Sequence, residues 1–207
     1  MDYTLEENKI YSRKFLKEGD LVNCGCHYFM LHEKEPENEE ANFFSAYYGY
    51  YTLLEKANYS SALVAFHKMI DCMESAVEFV KKSNGDDEEK VLVLSAMVEW
   101  FTPITRHLFT DRISTTTKTI ESGVLALYTL GSAIKNNFES NPEALKLALT
   151  PWKEAVSLQN TFYGYKYNNV KLEDYVAEIT KIDPTYIAPS KPLMKKIIDK
   201  IKGLLNK

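Results

Sequence analysis

The chain has little of what marks several large classes of protein. Among its 207 residues only three are cysteine, Cys24, Cys26 and Cys72. The number is odd and two of them sit one residue apart, so no disulfide framework follows; free thiols in a reducing compartment do. Arginine occurs only at Arg13, Arg106 and Arg112, and the formal net charge is -4. That balance argues against the basic domain by which wholesale nucleic-acid binders show themselves. No apolar run approaches the ~18 residues of a membrane-spanning helix. The segment from Met1 to Glu7 lacks the basic start and apolar run of a secretory signal, so the expected location is the cytoplasm. Glycine-rich phosphate loops, His-Glu-x-x-His and Gly-x-Ser-x-Gly elements are missing too. No catalytic residue, metal or cofactor is expected.

What is present is helical periodicity. With 45% hydrophobic and 26% charged residues the composition is that of a folded globule. Between Tyr59 and Lys82, Leu63, Phe66, Ile70, Met73, Val77 and Val80 recur every three or four residues, one stripe of a long helix. Similar stripes run through Val91 to Phe101, Val124 to Ile134 and Leu145 to Val156, and sustained period-two alternation is hard to find. The punctuation agrees. Gly19 suits the left-handed end of a first helix from about Thr4 to Glu18, Asn84-Gly85-Asp86 breaks the chain, and Asn141-Pro142 reads as a cap with proline at the first helical position. Pro103 and Pro151 should each start a new helix or bend an existing one. The prediction is an all-α chain of about eight or nine helices joined as antiparallel hairpins. It reads as one helical domain (1–207), with two repeat-like hairpins over 5–83, further helices over 86–181 and a C-terminal capping helix over 190–207.

The two hairpins look alike. Gly19-Asp20-Leu21, then Cys24, Tyr28 and Leu31, aligns with Ala57-Asn58-Tyr59, then Ala62, Phe66 and Met69, each pair 38 positions apart. Ser12 and Phe15 match Tyr50 and Leu53 in the same way. A small and a polar residue make the turn, a small side chain lets the two helices approach, and an aromatic fills the next layer. This pattern resembles the tetratricopeptide repeat over roughly residues 5–80, with Leu130-Gly131 and Ala144 as a degenerate third unit. Pro36 falls where the first unit would close, and the spacing exceeds the family's 34 residues, implying an insertion between Glu33 and Glu40. The resemblance implies that the first helix of each unit lines a concave groove. Lys9, Arg13 and Lys17 would then lie beside Phe44, Tyr47 and Tyr51, a basic wall facing an aromatic one. Such a groove suits an acidic protein or peptide segment with an apolar anchor. It does not match the family's chaperone-tail clamp, because Arg13 stands where an asparagine one turn after Lys9 is needed.

The remaining features have plain readings beside their chemical ones. Cys24-Gly25-Cys26-His27 with His32 gathers soft ligands, but a structural zinc site needs a second separated pair. Cys26 and His27, adjacent on a helix, do not face one another as a nucleophile and its base would. The clusters Tyr47-Tyr48-Gly49-Tyr50-Tyr51 and Tyr163-Gly164-Tyr165-Lys166-Tyr167 either pack with their hydroxyls at the surface or line a recognition surface. The segment 190–207 carries about +5 with Leu193, Ile197, Ile201 and Leu204 on one face. Docking on the acidic remainder is its expected role; lying on an anionic membrane surface is the alternative. The leading expectation is a non-enzymatic scaffold or adaptor that binds a protein or peptide. Its rivals are a small helical enzyme or ligand-binding domain, with a site around Trp100, His107 and Arg112, and a peripheral membrane protein.

Overall fold

A computed structural model describes residues 3–110, 117–161 and 170–189. The helices are α1 (Leu5–Glu18), α2 (Leu21–Lys34), α3 (Glu39–Glu55), α4 (Tyr59–Lys82), α5 (Asp87–Thr110), α6 (Thr117–Asn137), α7 (Pro142–Thr161) and α8 (Leu172–Ile182). The all-α expectation holds, and no strand occurs among the described residues. None of these helices is long and apolar enough to cross a membrane. The expected helix over 190–207, the Tyr163–Tyr167 cluster and Arg112 lie outside the described residues.

The turns explain why the chain breaks where it does. At the end of α1, Gly19 takes φ 70°, its N–H reaches the Leu16 carbonyl and the Asp20 N–H reaches that of Phe15. The Asp20 side chain then accepts from the Asn23 N–H and opens α2. Thirty-eight residues on, every one of these bonds recurs. Ala57 N–H bonds Leu54 O, Asn58 N–H bonds Leu53 O, and the Asn58 side chain accepts from the Ser61 N–H. Ala57 sits at φ 53° although it has a Cβ, a conformation that costs an L-residue roughly 1–2 kcal/mol. The small residues that follow, Cys24 and Ala62, are fully buried, as are Tyr28 and Phe66 one turn later. Sequence similarity at this offset is therefore a repeated hydrogen-bonded corner with a repeated core behind it.

Short connections fold α1 to α4 back and forth, with α3 and α4 packed most extensively. Gly25 allows α2 to meet α3 because any Cβ there would overlap the Tyr48 ring. In the second half, a Cβ on Gly131 of α6 would come within 2.5 Å of the Trp152 ring and 2.8 Å of the Ala148 carbonyl of α7, and Trp152 Nε1 donates to Tyr128 O at 3.1 Å. α4 and α6 join the halves, and buried side chains from all eight helices merge into one core. Pro103 and Pro151 begin no new helix; α5 and α7 run through them. Each proline removes one backbone donor, but the apolar residues on both sides are buried, which keeps the helix going past it.

Candidate functional site

The face carried by α1 and α3 has an occupant, α5. Arg13 on α1 donates through Nη2 to Glu40 Oε2 at 2.7 Å and through Nε to Glu89 Oε1 at 3.2 Å, and Glu89 belongs to the first turn of α5. Burial is the largest single influence and opposes the charge on Arg13, but Glu40, Tyr28 and Glu89 together outweigh it and hold the guanidinium pKa above its ordinary value. Tyr28 donates to the other Glu40 oxygen at 2.5 Å. Three helical turns along α5, Trp100 meets the edge of Phe44 at 5.3 Å between centroids and lies against Tyr47 at 5.0 Å. Burial pushes the Tyr47 hydroxyl up to about 12. The acidic group and apolar anchor that such a face would recognise are thus supplied by the chain itself, as Glu89 and Trp100.

Of the six residues picked out in the sequence, Arg13, Phe44 and Tyr47 are engaged under α5. Lys9 pairs with Glu35 at 2.9 Å. Lys17 and Tyr51 stay at the surface, where the neighbouring Glu55 carboxylate raises the Tyr51 hydroxyl pKa. Lifting α5 away would expose Val93, Leu94, Met97 and Phe101, all at 0% exposure. At roughly 1.5–3 kcal/mol each, these four alone represent about 6–12 kcal/mol, as much as an entire domain's stability. The α5 cover is part of the fold. Beside Arg13 a polar crevice of about 690 Å³ also takes in Glu6, Lys9 and Glu89. The shielded Arg13 Nη1 has no partner among the described residues, and a crevice of this kind has room for ordered water to supply one.

The opposite side of α3 is open. There a groove of about 780 Å³ runs between α2 and α4. Its floor is Ser45, Ala46 and Gly49; its walls carry Phe29 from α2 and Val64 from α4, side chains 46% and 58% exposed. Lys68 and Asp71 mark the α4 lip, and neither forms an ion pair with another described residue. Several other polar lining groups are engaged locally. His32 Nδ1 bonds Asn42 Oδ1 at 2.6 Å, Asn42 Nδ2 donates to Pro36 O, and Thr52 Oγ1 donates back to Tyr48 O and Gly49 O. The sequence reading missed this groove. Its signal was that Val64 lies off the α4 stripe of Leu63, Phe66 and Ile70, and that Ser45, Ala46 and Gly49 put three small residues on one side of an aromatic-rich helix.

The cysteine–histidine segment disperses. Cys24 is buried, donates to Ser12 O and has its thiol pushed up to about 12 by burial. Cys26 bonds the Tyr48 hydroxyl, His27 bonds Asn8 Oδ1 and His32 bonds Asn42. No group of three or more metal-ligating side chains occurs among the described residues. In the second half, Trp100 is spent on Phe44 and Tyr47, while His107 is exposed near the end of α5. Its neighbour Arg106 makes a two-pronged ion pair with the buried Glu154 of α7. Comparison with protein-family models, with curated proteins and with solved structures gives no match.

Proposed function

We propose that the chain is a non-enzymatic scaffold or adaptor of tetratricopeptide-like hairpins that binds a protein or peptide, and that the partner enters the groove between α2 and α4. One observation carries this reading. The face that the resemblance assigns to ligands is covered by α5, whereas the reverse face of α3 has a small-residue floor under exposed Phe29 and Val64. Exposed apolar side chains around a concavity mark interaction sites more often than they mark unfinished cores. The recurrence of the Gly19–Asp20 corner at Ala57–Asn58 supports the repeat part of the proposal.

The test is recovery of a partner from the native source by cross-linking to the full chain, followed by direct binding of the purified pair. Gly49→Leu fills the floor, where a Cβ meets only Ala65 at 3.9 Å, and should abolish that binding without lowering the thermal midpoint. Lys17→Glu on the α1 surface should leave it intact. Loss with Lys17→Glu and retention with Gly49→Leu would place recognition on the first helices and refute the groove.

A further inference from the structure

Resting on that reading, we infer that the occupant of the α2–α4 groove is a single amphipathic α-helix of a protein partner, rather than an extended strand. Three features of the groove lead there. The first is polar supply. An extended segment brings one N–H and one C=O per residue that need partners, and recognition of strands works by supplying them along an edge. This groove cannot. His32 and Asn42 satisfy each other, Asn42 Nδ2 is taken by Pro36 O and the Thr52 hydroxyl by its own helix. What remains among the described lining residues is the hydroxyls of Ser45, Ser61 and Tyr48 and the second ring nitrogen of His32, spread over three helices rather than aligned along an edge as a strand requires. A helix closes its backbone bonds internally and needs none.

The second feature is shape. The lining runs from Asn42 to Leu53 along α3 and from Ser61 to Cys72 along α4. Either span is about 16 Å at 1.5 Å per residue, three helical turns. Ser45, Ala46 and Gly49 line a floor of three small side chains, and small residues let a helix approach to close range. Phe29 and Val64 rise on either side as apolar walls for an occupant's stripe of residues at every third and fourth position.

The third is charge. Lys68 and Asp71 stand one turn apart on the α4 lip, and neither forms an ion pair with another described residue. A helical occupant presents an acidic and a basic residue at the same one-turn spacing along its flank. The two pairs meet in register, and the pattern disfavours a flank of one sign.

The probes are synthetic 14-residue peptides measured by fluorescence anisotropy against the full 207-residue chain. One has an aliphatic stripe at helical spacing with glutamate and lysine one turn apart beside it. A second has the same composition apart from two central prolines, which forbid the helix; a third carries two lysines on the flank. The helical Glu–Lys peptide should bind at least tenfold more tightly than the proline peptide, and Gly49→Leu should remove that binding. Lys68→Glu should shift preference toward the two-lysine peptide by about threefold, the scale of an exposed ion pair. Equal binding of the proline peptide, no binding by any peptide, or indifference to Gly49→Leu would overturn the inference. So would sedimentation showing that the groove pairs two copies of this chain. A native partner that still requires the groove after such a failure would leave the scaffold reading standing and remove only the helix.

Discussion

The two sides of α3 are made from adjacent residues and have opposite fates. Phe43, Phe44 and Tyr47 turn toward α5, where Trp100 and Phe101 cover them. Ser45, Ala46 and Gly49 turn toward the gap between α2 and α4 and form the floor of a groove. The aromatic side, which looks like a recognition surface in the sequence, is core. The small-residue side, which looks unremarkable, is open. Aromatic rings bury so much area that a chain with a spare helix will cover them itself, whereas small residues leave room for something else. In this protein the open concavity is marked by what the side chains lack.

The contrast can be broken by substitution, and the largest effect belongs to the covered side. Phe44→Ala, at 1% exposure, should cost about 3–5 kcal/mol. Phe29→Ala, on the open side, should stay within about 0.5 kcal/mol. Chemical denaturation of both checks the pair, and equal costs would show that α2 and α4 do not leave Phe29 exposed. Next come the glycines. Gly25→Ala forces the Tyr48 ring away and should destabilise by about 1–3 kcal/mol. Gly49→Ala, which meets ordinary contact distance, should stabilise by about 0.5–1 kcal/mol through helix propensity. Opposite signs for two glycines on facing helices would be hard to obtain if the groove were filled.

Smaller effects sharpen the repeat. Ala57→Gly relieves the positive φ that its counterpart Gly19 tolerates, for a net gain of roughly 0.5 kcal/mol after the entropy of glycine in the unfolded chain is subtracted. Gly19→Ala should lose stability at the matching corner. The smallest effect is in pH. His27 lies between α2 and α1, stacked on Tyr11 and Phe15 and edge-on to Tyr3, with Asn8 as its partner and Lys34 bonded to the Tyr3 carbonyl. Burial lowers its folded-state pKa below 6.5. Its contribution is therefore present above the unfolded pKa and is lost as pH falls through the folded one. Between pH 7.5 and 5 the wild-type melting temperature should fall more than that of His27→Gln.

Much of the fold was legible because helices write their buried stripes at a fixed period. α4 begins at Tyr59 and ends at Lys82 as its stripe and flanking Asn58 and Asn84-Gly85 indicate, and the Gly19 corner follows from the one residue suited to it. The corner at Ala57 was legible only by its offset from Gly19, since nothing local favours alanine there. Of the two outcomes expected at Pro103 and Pro151, a new helix begins at neither, because a proline's cost is local while the packing that outweighs it comes from distant helices. The site was less legible for the same reason. Nothing near Arg13 or Tyr47 reports that residues Glu89 and Trp100 return to meet them. Val64 and Phe29 become informative only when α3 is known to present Ser45, Ala46 and Gly49 between them.

Hydroxyl-radical footprinting of the full chain, alone and with the helical Glu–Lys peptide, tests the two-sided account of α3 most directly. Phe29 and Val64 should be modified readily in the free chain and shielded in the complex. Phe44 should be protected in both, and the modification of Tyr47 and Trp100 should not change on binding. Shielding of Tyr47 and Trp100 by the peptide, with Phe29 and Val64 unchanged, would contradict the account and return recognition to the α1–α3 face.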